Sequence, residues 1–197
     1  IAVELVDVMR SQHACRFYKP DPVPEEVFYN AIEAARFGPQ GGNRQPVRFL
    51  VVTDPAKKKQ LQEMYLVPWK AYFEAASSGT DSIEAESGDA KSTHITMTNP
   101  AKALADADTF AEHYAEHPAI VIALADIEQT HPTDTDLGRL SIVGGASVYP
   151  MVQNFCLALR NQGVATTLTT LLCMFEPQVK EMFGIPDHLS TAAFVVA

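Results

Sequence analysis

The stretch "RSQHACR" places Arg10, His13 and Arg16 close together where no regular pattern runs. Basic donors at this spacing, with irregular backbone between them, form an anion-binding set able to hold a phosphate by charge-assisted hydrogen bonds. Taken alone, such a stretch is equally a solvated surface segment. A second donor-rich segment, "FGPQGGNRQP" (37–46), sets Gln40, Asn43 and Gln45 among glycines and prolines. Amides beside so little side-chain bulk suit a backbone that lies close against a flat, polar-edged ligand, or a tight surface loop. The two segments flank one amphipathic helix, and their joint occurrence favours the ligand reading. A third motif, "HYAEH", puts His113, Glu116 and His117 in H-x-x-E-H order, the spacing of an inverted zinc-protease pair. Pro118 follows at once, so the reading favoured here is a helix end before a buried strand, with no metal.

Other chemistries have no sequence support. There is no G-x-x-x-x-G-K-[ST] loop, no G-x-G-x-x-G after a strand and no G-x-S-x-G elbow. An adenine dinucleotide held in a Rossmann crevice is thereby excluded. Cys15 lies beside Arg16, which is weak support for an activated thiol.

The elements that must position these residues follow from periodicity. "VELVDVM" sets Val3, Leu5, Val6 and Met9 on one helical face. A helix starts near Pro24, with Glu25 and Glu26 at the positive end of its dipole. It presents Phe28, Ile32 and Ala35 on one face and stops at Gly38-Pro39. "VRFLVVT" (47–53) reads as a strand. Residues 57–75 read as a helix carrying Leu61, Met64, Tyr65, Trp69, Tyr72 and Phe73. "SSGTDSIEAESGDAKST" reads as a mobile or partly disordered loop. Residues 101–116 read as a helix, and "AIVIALADI" as a central strand. "SIVGGASVYPMVQNFCLALRNQG" (141–163) reads as one long helix, kinked at Pro150 and capped by Gly163. Its Gly144, Gly145, Ala146 and Ser147 suit the close approach of another helix, as from a second subunit. "TTLTTLL" is ambiguous, "EPQVKEMFG" a short helix and "TAAFVVA" a final strand. Strands separated by unequal helices, without a βαβ rhythm, predict an α+β fold: a central mixed, mainly antiparallel sheet flanked by helices.

Bulk properties bound the partners. A chain of 197 residues, 47% apolar and 20% charged, describes one soluble globular domain burying ~70% of its unfolded surface. The net charge of -9 disfavours nucleic acid and anionic membrane. Three widely spaced cysteines argue for a reducing, cytoplasmic setting. No run reaches the ~20 apolar residues of a membrane span, and no signal-peptide pattern opens the chain. The chain begins at Ile1 and stops at Ala197 inside an expected strand, so trimmed ends and a missing tail are expected.

Two stretches carry a family resemblance. "MRSQHACRFYKPDPVPEEVFYNAIEAARFGPQGGNRQPVRFLVV" resembles the opening of the FMN-dependent nitroreductase family. That family begins with a basic R/H-S-x-R/K segment, a helix, then A-P-S-x-x-N-x-Q-P-W and a strand. Farther on, "SIVGGASVYPMVQNFCLALRNQGVATTLTTLLCMFEPQVKEMFGIP" is similar to its long central helix, its T-T segment and its E-x-x-V-x-x-x-x-G-I-P ending. The likeness covers the chain except about 57–110, where the family varies.

The resemblance implies FMN as cofactor, NAD(P)H as electron donor, a small flat acceptor and a homodimer with flavin at its interface. It places His13, Ala14 and Arg16 at the FMN phosphate and ribityl chain, with Gln12 adjacent. Pro39, Gln40, Gly41 and Asn43 fall along the flavin edge, with Gln45 near it. Leu168, Thr169 and Thr170 face the ring near its reactive nitrogen. Tyr65 and Trp69 are candidates for a lid stacking on flat substrates; the same residues also suit plain core or dimer contacts. The sequence departs from the family at Gln40 and Ala14, where serine is usual, and at Val47, where tryptophan is usual. The basic residue that closes on the phosphate near the family's C-terminus has no counterpart before Ala197. The alternatives kept open are a flavin-sequestering protein without turnover and a same-fold flavoenzyme with another reaction, such as reductive dehalogenation.

Overall fold

A computed structural model describes residues 4–77 and 99–197. Four antiparallel strands lie in the order β1-β2-β4-β3: β1 is Val47–Val52, β2 Ile120–Asp126, β3 Thr167–Thr169 and β4 Leu189–Val196. Outside them, one isolated parallel bridge joins Ala14 to Thr166. Among the described residues, six α-helices run Leu5–Ser11 (α1), Glu25–Ala35 (α2), Pro55–Ser77 (α3), Pro100–Glu112 (α4), Tyr149–Asn161 (α5) and Glu176–Phe183 (α6). The expected loop "SSGTDSIEAESGDAKST" lies outside the described residues apart from Ser77, as does Val3.

The sheet is covered on both faces, which explains why β2 is apolar from Ile120 to Ala125. Its residues alternate with the pleat. Val121, Ala123 and Ala125 point into a cluster with α2 and α5, and Ile120, Ile122 and Leu124 into a cluster with α3 and α4. The α2 face is as expected, with Phe28 and Ala35 buried and Ile32 packed against the first cluster. All three cysteines are free, and no described helix is long and apolar enough to cross a membrane.

Three expectations need correction. Residues 141–148 form turns rather than helix. Pro150 sits in the first turn of α5, where its missing N–H leaves no bond unmade, so nothing kinks. The small residues there serve this turn: a Cβ on Gly145 would lie 2.6 Å from the Tyr149 ring. On α1 the buried residue is Val8, while Leu5, Val6 and Met9 are exposed. A seven-residue helix touching α5 buries one narrow stripe, and nothing in the described chain covers the rest. The ambiguous "TTLTTLL" resolves into β3 followed by a short 3₁₀ turn, Leu171–Phe175. Gly163, at φ 86, ends α5 as expected.

Candidate active site

The extended segment 12–16 is laid along the outer side of β3. Cys15 N donates to Thr166 O at 3.1 Å, the Gln12 amide donates to Thr166 Oγ1 at 3.0 Å, and the Thr167 hydroxyl donates to the Cys15 carbonyl. Tyr18 anchors the far end, its hydroxyl reaching Val196 O at 3.1 Å; burial pushes this phenol far above its usual range. An extended segment sends alternate side chains to opposite sides. Ala14 and Arg16 therefore share one cavity, of about 270 Å³, with Tyr65, Trp69, Leu168 and Thr169.

The walls of this cavity are aromatic. Tyr65 and Trp69 are buried, and Phe110 of α4 and Tyr72 of α3 complete that side. Burial raises the Tyr65 phenol, while the Thr169 hydroxyl and the Arg16 charge oppose it. Tyr65 and Trp69 belong to the second core cluster and also line the cavity. Phe110 was not foreseen; its signal was the apolar face of α4. Thr170 is exposed at the N-terminal end of the 3₁₀ turn.

Gln12 and His13 line a separate cavity of about 170 Å³ with Ser11, Cys15, Thr166 and Arg160. Arg160 Nε donates to Ser11 Oγ at 3.0 Å. Sequence reading missed this arginine, whose one signal was a basic residue in the last turn of a long helix.

The loop 39–45 lies elsewhere. Gly41 N donates to Ser147 Oγ at 3.0 Å, and a Cβ on Gly38 would come within 3.0 Å of the Met151 backbone. The lack of bulk here thus lets the loop dock on the start of α5, a use the sequence reading did not foresee. Asn43 and Gln45 both hold φ at 51, and Gln40 Oε1 is buried without a partner. Ser11, just ahead of segment 12–16, is tied to the other end of α5 through Arg160. Roughly 15 Å of helix lies between, so within one chain the two donor-rich segments do not meet.

The "HYAEH" motif spans the end of α4. The α-helix ends at His113, and residues Tyr114–Glu116 continue as a 3₁₀ turn, so the two histidines do not share a helical face. Glu116 is bonded to His113 Nδ1 at 2.9 Å. His117, 6% exposed, lies between the Tyr18 ring at 4.5 Å and the Phe110 ring at 5.0 Å. Its Nε2 has no partner, and burial, aided by the Lys58 ammonium and opposed by Glu116, pulls its pKa down to about 4. Lys58 Nζ donates to the His117 carbonyl at 2.6 Å. Among the described residues no group of three His, Cys, Asp or Glu is placed to hold a metal.

The family model described as "Nitroreductase family" matches residues 9–197. The chain belongs to the nitroreductase family. Iodotyrosine deiodinase 1 of Rattus norvegicus is 36% identical over 61 residues, 31% of this chain and 21% of that protein. The NADH dehydrogenase of Thermus thermophilus is 44% identical over 52 residues, 26% of this chain and 25% of that protein. The matched stretch thus spans only about a fifth to a quarter of these relatives. Among solved structures, oxidized iodotyrosine deiodinase bound to FMN and 3-iodo-L-tyrosine superposes with a TM-score of 0.68 at 19% identity, covering 98% of this chain and 88% of that one. At that identity the likeness is one of fold, and it includes the four-stranded antiparallel sheet with its flanking helices.

Proposed function

We propose that this nitroreductase-family chain is an FMN-dependent oxidoreductase that moves electrons from NAD(P)H to a small flat acceptor, a nitroaromatic, quinone or similar ring, in two alternating half-reactions. The observation that carries this reading is the meeting of Ala14 and Arg16, the β3 edge and an aromatic wall at one cavity. When bound, FMN supplies the ring that accepts a hydride from the donor and returns it to the acceptor. The residues present fit such a group. No carboxylate lies within ion-pair distance of Arg16 among the described residues, which leaves its charge for an electron-rich ring or an anion. Thr167 and Thr169 line the cavity as further polar residues. Tyr65, Trp69 and Phe110 keep water out and give a planar ligand a stacking surface.

At about 270 Å³ the cavity is small against the ~300–1,000 Å³ of drug-sized sites. It holds a ring system rather than a whole nucleotide-like cofactor. In this reading Gln12, His13 and Arg160, which share the neighbouring cavity, would hold the ribityl phosphate. A second copy of the chain brings its Pro39, Gln40, Gly41, Asn43 and Gln45 to the flavin edge. The unpartnered Gln40 Oε1 and the uncovered apolar residues of α1 support that homodimer.

The test is anaerobic mixing of flavin-loaded protein with NADPH or NADH, then menadione. Bleaching of the visible flavin band followed by its return supports the oxidoreductase. A colourless protein that does not take up FMN overturns the reading, and a band that neither donor bleaches points to flavin storage without turnover. A second reaction, reductive dehalogenation, is favoured by the similarity to iodotyrosine deiodinase. Release of iodide from 3-iodo-L-tyrosine by the reduced protein distinguishes it.

A further inference from the structure

Trp69 is the single tryptophan of the chain. It is 7% exposed, and its ring forms part of the cavity wall. Pro68 stands immediately before it inside α3. Proline has no N–H to give the carbonyl four residues back, so the turn carrying Trp69 lacks one backbone bond. The neighbouring rings hold the indole in its layer: Tyr65 stacks at 6.5 Å and 12°, and Tyr72 tilts against it at 5.6 Å. Stacking alone leaves the indole free to slide or rotate within that layer. One directional contact removes the freedom. The indole Nε1 donates to Asp108 Oδ1 on α4 at 2.8 Å, a hydrogen bond strengthened by the acceptor's charge. Asp108 forms no ion pair among those found in the described residues, and it is not itself on the cavity wall.

We propose that Asp108 is a positioning residue that fixes the Trp69 ring as one face of the acceptor slot, and thereby selects flat, uncharged aromatic acceptors. The selection follows from the wall. Tyr65, Trp69, Tyr72 and Phe110 line it with aromatic rings, and among the described residues Arg16 is the only charged one on its wall. A planar neutral ring gains stacking there without leaving a charge desolvated and unpaired. A tilted Trp69 would narrow the slot. This inference rests on the oxidoreductase reading for its acceptor, but not for the geometry it assigns to Asp108.

The experiment reads the two apart. In flavin-free protein, Trp69 is the only source of indole emission. Asp108→Ala should shift that emission to the red and make it more accessible to acrylamide, while Asp108→Asn, whose amide oxygen still accepts from the indole, should restore both. In flavin-loaded protein, Asp108→Ala should raise KM for menadione roughly tenfold, the loss of one hydrogen bond to a charged group, with a smaller change in kcat. Trp69→Phe, which keeps a ring but drops the donor, should raise it similarly, and adding Asp108→Ala to Trp69→Phe should do no more. Unchanged emission in Asp108→Ala, an Asn variant as displaced as the Ala variant, or independent effects of the two sites would each overturn the proposal. Should Asp108→Ala not fold, the Asn and Trp69→Phe variants decide it alone: Asn must match the wild type and Trp69→Phe must not. A protein without flavin chemistry would still give the emission result, so failure of the wider reading is recognised separately.

Discussion

Where α2 and α5 cover the sheet, the contacts are mostly aliphatic and many are small: Ala31, Ala35, Ala123, Ala193, Val121 and Val152 are buried there around two phenylalanines, Phe28 and Phe155. Where α3 and α4 cover it, Tyr65, Trp69, Phe110, Tyr114 and His117 take their place. The first face brings helix and sheet close and leaves little room. The second packs large rings that carry polar atoms, and two of those atoms, Tyr114 Oη and His117 Nε2, are buried without partners. Buried polar groups are normally bonded, so this face sacrifices some stability. It is also the face with the ring-lined cavity. The difference separates a scaffold face from a ligand face within one small sheet.

The largest effect should come from the scaffold face. Phe155 is fully buried on α5 and stacks on Phe49 at 4.7 Å. Phe155→Ala should cost about 3–5 kcal/mol, measured by urea unfolding. On the ligand face, acid is the sharper probe. The folded pKa of His117 lies at about 4, below the usual ~6.5 of the unfolded chain. Between those values the unfolded chain binds the extra proton. Stability therefore keeps its full value above ~6.5 and falls as pH drops toward 4, by roughly 2 kcal/mol once solvent screening is allowed for. Unfolding across this window should show that slope, and His117→Phe should flatten it; a slope of the same size in the variant would assign it to other groups.

Arg16→Met should leave thermal stability unchanged, since no ion pair is lost, yet weaken FMN binding about tenfold or more. Flavin fluorescence titration checks this, and equal affinity would remove Arg16 from the site. The smallest effect has the opposite sign. Tyr114→Phe deletes a buried hydroxyl that has no partner and should raise stability by up to ~1 kcal/mol. A drop in Tm would mean that this hydroxyl does find a partner.

Much of the fold was legible because its signals are local. The period of Phe28, Ile32 and Ala35 marks α2, and the apolar run at Ile120 marks a strand buried on both sides. Pro150 was misread because proline at a first turn and proline in mid-helix differ only in where the helix begins. The "HYAEH" spacing suggested one helical face, but the chain changes from α to 3₁₀ geometry at His113. Arg160 and Asp108 carried almost no signal. Each is bonded to a residue far away in sequence, Ser11 and Trp69 respectively.

From order and spacing alone most helices and strands and the two donor-rich segments could be read, and the likeness of two motif stretches pointed to the family. These depend on periodicity, turn-forming residues and residue type, all properties of neighbours in sequence. Tertiary structure decided which of those residues share a cavity. Pairing of segment 12–16 with the β3 edge turned Arg16 toward Tyr65 and Trp69, whereas docking on the first turn of α5 took the 39–45 loop away from them. Side-chain direction after strand pairing and the length of an intervening helix are properties of the packed chain, and no local pattern encodes them.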